Sequence, residues 1–106
     1  MIECIGLDLK RDLVLKIPKG AKILSVGNRD EQNGGLWYMY DKVPGPAPET
    51  YELHLMLLPD RAAAVTDFEL MGRFVTRGCD SYFVFKVPEK EVKRRAQEEL
   101  DKRKLA

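Results

Sequence analysis

A chain of 106 residues, 44% hydrophobic and 33% charged, suits one soluble globular domain with a core of its own. It has neither the apolar deficit of a disordered chain nor an apolar run long enough to span a membrane, and a formal net charge of +1 supplies no global pull on nucleic acid or an anionic surface. Cys4 and Cys79, with no Cys-x-x-Cys or Cys/His cluster beside them, exclude a disulfide framework and give zinc or thioredoxin-like chemistry no support, so both read as buried or half-buried thiols.

The opening, "MIECIGLDLKRD", carries acidic residues where a signal peptide needs a basic region and an uninterrupted apolar stretch. It reads as a cytoplasmic protein whose first strand covers residues 2 to 9. In "RDLVLKIP" the residues Leu13, Leu15 and Ile17 share one face, while "AKILSV" is apolar on both. Between them, "IPKG" predicts a type I turn with Pro18 second and Gly20 fourth, closing a first hairpin. Lys19 and Lys22 flank Gly20 and suggest a phosphate loop. However, the P-loop spacing and the following helix N-terminus are both missing, and the backbone needs of a turn explain the corner.

Next, "GNRDEQNGG" ends in Asn33-Gly34, the strongest short hairpin signal, before the aromatic run "LWYMYD". "VPGPAPET" holds three prolines, which cannot donate to a ladder. It predicts an exposed loop, with alternation resuming in a further hairpin through "YELHLMLL". One helical turn is expected in "PDRAAAVTD", with Asp60 as its cap. "FELMGRFV" and "DSYFVFKV" then give two strands joined through "TRGCD", for about seven strands in total.

From Pro88, suited to the first position of a helix, the pattern changes. Glu89 with Lys93, Glu91 with Arg95, Glu98 with Lys102 and Glu99 with Arg103 recur at a spacing of four, each pair contributing about 0.2–0.5 kcal/mol to a helix. The apolar stripe Val92, Ala96 and Leu100 is too narrow for deep burial, which leaves a sheet edge, a second copy or solvent as its neighbour. The expected architecture is mainly β: a small antiparallel β-sandwich or partly closed barrel at residues 1–87, with a charged C-terminal helix at 88–106. Several strands are apolar on both faces, for example His54 and Met56 opposite Leu53, Leu55 and Leu57. Such faces favour a homo-oligomer.

No catalytic constellation, cofactor motif or metal-ligand set emerges. His54 is the only histidine, in mid-strand with no nucleophile at a partner spacing, and reads as a polar residue on an outer face. The aromatic strand is the richest feature: Trp37, Tyr38 and Tyr40 serve core or interface, with Tyr38 and Tyr40 the candidates for an exposed row that stacks on a base. Lys19, Lys22, Arg73 and Arg77 are the candidate phosphate contacts. Lys90, Lys93, Arg94 and Arg95 form a basic patch at the helix start, interleaved with acids, which reads as a solvated face or as a contact for a protein or nucleic acid.

Ile17 to Val26 and Leu36-Trp37 resemble the opening of a family of short bacteriophage and prophage proteins carried as a domain of unknown function. "ELMGRFVTRGCDSYFVFKV" is similar to that family's closing strands, with Gly72 matching its glycine. The family's Gly-Thr-Gly-His-like element is replaced here by "LPDRAAAVTD", its terminal Trp-His pair is absent, and the charged helix is an addition. The resemblance implies no catalytic residues. It implies a phage accessory protein that acts by binding, either blocking a host defence protein or sequestering a signalling nucleotide. A nucleic-acid module using the basic start of the helix, and a virion or assembly component, are the alternatives.

Overall fold

In the computed structural model, which describes residues 1–60 and 67–105, seven strands precede one helix. They are β1 (Ile2–Leu7), β2 (Asp12–Pro18), β3 (Lys22–Asn28), β4 (Gly34–Met39), β5 (Thr50–Pro59), β6 (Glu69–Val75), β7 (Ser81–Lys86) and α1 (Glu89–Leu105). The strands form one mixed sheet in the order β1-β4-β3-β6-β7-β5-β2, curled into a nearly closed barrel. The expected class holds, with one addition: β3 and β6 run parallel and meet at Val26 and Gly72. The helical turn expected behind Asp60 falls mostly on residues 61–66, outside those described.

Turn chemistry explains both the agreements and the corrections. Gly20 has φ +84°, and the Ala21 amide donates to the Pro18 carbonyl at 3.1 Å, so the turn runs from Pro18 to Ala21, one residue later than expected. A positive φ at the third position is what a type II turn requires, and glycine adopts it without a Cβ penalty. Nor does the turn close a hairpin: β2 pairs with β5, whereas β3 pairs with β4 and β6, so the corner carries the chain from a sheet edge to its middle. The proline loop likewise closes no hairpin: it crosses from β4, second in the sheet order, to β5, sixth, and the two do not pair because a loop of that composition imposes no register.

The hairpins joining β3 to β4 and β6 to β7 do form. In the first, the reversal is made by Asp30 rather than by Asn33-Gly34: its Oδ1 accepts from the Gln32 and Asn33 amides at 2.8 and 2.9 Å. Those bonds, with the Asn33 side chain, hold the Asp30 carboxyl below its ordinary range. Gly34 already belongs to β4.

Alternation along each strand fills the barrel. Ile17, Leu36, Leu55, Phe74 and Val84 have almost no exposure, and Leu13, Leu53, Leu57 and Tyr38 complete the interior. Truncating Phe74 to alanine there would cost about 3–5 kcal/mol. A second cluster sits on the outer wall, where Met56 and Leu58 of β5 and Phe85 and Val87 pack with Phe68, Phe83 and Val92. Strand β5 is therefore buried on both faces by its own chain, which accounts for part of the two-faced pattern in the sequence.

The Pro88 carbonyl accepts from the Glu91 and Val92 amides at 2.9 and 3.0 Å, so Pro88 caps α1 from just outside its first turn. Glu89–Lys93, Glu91–Arg95 and Glu99–Arg103 form at 3.5, 3.2 and 3.8 Å, as their spacing predicts. Glu98 instead takes Arg94, at 3.1 Å.

Candidate functional site

Helix α1 touches its own barrel near its start and then leaves it. Val92 joins the outer cluster, and Arg95 Nη1 reaches Asp12 Oδ1 of β2 at 3.3 Å while its Nε bonds Glu91 at 3.2 Å. Beyond this clasp Ala96 is exposed and Leu100 is 49% exposed. The result is a cleft of about 490 Å³ between helix and sheet, with His54 on the sheet side and Val92, Arg95, Ala96, Glu99, Leu100 and Arg103 on the helix side. Val14, 51% exposed, lies opposite His54 in the β2–β5 register.

Charge hardens the start of this wall. Arg94 bonds Glu91 through two nitrogens at 2.6 and 3.0 Å and also holds Glu98. The Arg94 guanidinium, supported by Arg95, pulls the Glu91 carboxyl down to about 2. Of the basic patch expected at the helix start, Lys93, Arg94 and Arg95 are thus bonded to acids of the same chain. This lowers the local positive potential on which phosphate binding depends. His54 lies on the outer face, as expected, with its Nε2 3.7 Å from a Glu52 carboxylate oxygen.

The expected nucleotide-contact residues are not brought together. Tyr38 and Tyr40 point into the barrel, stacked with centroids 5.7 Å apart, and Tyr38 is buried. The exposed stacking row is therefore corrected: strand alternation puts Trp37 on the opposite, outer face, in register with Cys4 and Ser25. The Tyr38 hydroxyl donates to Glu3 Oε2 at 2.7 Å. That bond and burial push it up to about 12. Lys22 begins β3, whereas Arg77 follows β6, which runs parallel to β3. The two cations therefore mark opposite ends of the barrel. Arg73 pairs with Phe83 in the β6–β7 register.

Lys19 bonds Glu49 at 2.9 Å. It borders a second hollow, of about 530 Å³, where Tyr40, Asp41 and Lys42 meet the proline loop at one mouth of the barrel. Sequence reading overlooked Lys42, because only the turn before β3 and the end of β4, far apart in the chain, bring it near Lys19. It also overlooked the cleft beneath α1, although the narrow stripe from Val92 to Leu100 was its visible trace.

Cys4 is half-buried and Cys79 exposed, the latter in a turn rather than in the core. Among the described residues, no group of three or more His, Cys, Asp or Glu is placed to hold a metal ion, and no helix is long and apolar enough to cross a membrane. No protein-family model, curated protein or solved structure matches the chain.

Proposed function

We propose that this chain is a non-enzymatic accessory binding protein of the bacteriophage type, which self-associates and acts in the host cytoplasm by docking its helical wall onto a host defence protein. The observation that carries this reading is the helix held off its own sheet, with an apolar cleft on one side and a charged surface on the other. Apolar side chains fill the barrel interior, which favours action at the surface over action on a ligand in the lumen. The residues resembling phage accessory proteins, Ile17 to Val26, build the β2–β3 corner of the scaffold.

The test is phage plating on bacteria that express one defence system at a time, with and without this protein. Restored plating with at least one system, lost when Lys90 and Arg94 are both changed to Glu, is the expected result. Plating that stays blocked with every system would overturn the assignment.

A second reading, sequestration of a small signalling nucleotide, is favoured by the barrel mouth, where Lys19 and Lys42 flank Tyr40. Calorimetry with cyclic and ADP-ribose-type nucleotides decides it, since absence of heat with all of them removes the nucleotide. A nucleic-acid role would require binding that weakens steeply with salt.

A further inference from the structure

We propose that the cleft beneath α1 is closed by the same cleft of a second copy, the two helices running antiparallel with Ala96 at the two-fold axis. This rests on the docking reading above and assigns each side of the helix a partner: the cleft side to the second copy, the outer side to the host protein.

Helix geometry sets the register. Val92, Ala96 and Leu100 recur every fourth residue and form one ridge. The chain's own outer cluster takes up only Val92. Placing Ala96 on a two-fold axis sets Val92 against the partner's Leu100, and the reverse, while the small alanines let the backbones approach. The exposed Val14 and the half-buried His54 of each sheet then cap the ends of this seam.

Charge complementarity selects this orientation. Antiparallel about Ala96, Glu99 comes level with the partner's Lys93 and within two residues of its Arg95, and Glu89 comes level with the partner's Arg103. A parallel, in-register pair would bring Arg95 beside the partner's Lys93, a like-charge contact. Glu89 and Glu99 already lie against Lys93 and Arg103 of their own chain, so pairing extends existing ion pairs into a network. It leaves Lys90, Arg94, Glu98 and Asp101 on the outward side.

Sedimentation equilibrium of the full chain is expected to give twice the 12.1 kDa chain mass. Leu100→Glu is expected to weaken the dimer by about tenfold or more with an unchanged far-ultraviolet circular dichroism spectrum. A monomer up to millimolar concentration, or a dimer indifferent to Leu100→Glu, would overturn the pairing. Orientation is read in a Cys79→Ser background: Val92→Cys mixed with Leu100→Cys should crosslink, and neither variant should crosslink with itself. The opposite pattern would overturn the antiparallel arrangement. A dimer behaving as described while no defence system is relieved would leave the pairing standing and remove the host target. Relieved defence from a strict monomer would do the reverse.

Discussion

Tyr38 shows how one side chain couples the barrel to pH. Its hydroxyl donates to Glu3 across the β1–β4 pair, and its proton is held to about 12. In the unfolded chain a tyrosine loses that proton at about 10. The bond therefore contributes fully below the unfolded value, and its contribution is lost as pH rises from about 10 to about 12. Urea unfolding at about pH 8 and about pH 11 should show this loss in the wild type and much less of it in Tyr38→Phe. That variant should be less stable at the lower pH by about 0.5–1.5 kcal/mol. Cys79 is a second residue whose conformation carries a prediction: it holds φ +64° in the β6–β7 turn, where its amide donates to the Thr76 carbonyl at 2.9 Å. A left-handed conformation costs a residue with a Cβ roughly 1–2 kcal/mol relative to glycine, part of which glycine returns as unfolded-state entropy. Cys79→Gly should therefore raise the urea midpoint, by up to about 1 kcal/mol of stability.

At the scale of elements, local interactions were legible and geometry within turns less so. Helix α1 could be read from its charges because partners four residues apart meet on any helix, and three of its four expected ion pairs form. The fourth differs because Arg94 bridges Glu91 and Glu98 together, a choice that spacing alone does not rank. With Glu91 at about 2 in the fold against an ordinary 4.5, its contribution is present above about 4.5 and lost as pH falls toward 2. Acid titration followed by far-ultraviolet circular dichroism should show helical signal falling across this window, and Glu91→Gln should flatten the change. In the turns, Pro18, Gly20 and Asn33-Gly34 announced where the chain bends but not the register. The Asp30 side chain makes one reversal, and a one-residue shift makes the other.

For the whole molecule, the strand count follows from alternation and the terminal helix from charges spaced at four, whereas the strand order follows from neither. The edges β1 and β2 are neighbours in the chain yet lie at opposite ends of the sheet order. Only long-range packing could reveal that, because a short polar turn is compatible with pairing or with divergence. The same reason hid the candidate site: Tyr38 and Trp37 are adjacent in sequence and opposite in space, and the cleft joins β5 to a helix more than thirty residues later. The parallel β3–β6 contact depends on Gly72, where a Cβ would run into the Val26 backbone carbonyl. Gly72→Ala should push the two strands apart and cost about 1–3 kcal/mol in urea unfolding, with the barrel still formed.

The helical wall as working surface is tested most directly by amide hydrogen exchange of the intact protein at low and high concentration. Concentration-dependent slowing is expected in residues 92–103 and beside Val14 and His54, with the β1–β4–β3 wall unchanged. Exchange in α1 that is indifferent to concentration, or protection appearing on that opposite wall instead, would contradict the account.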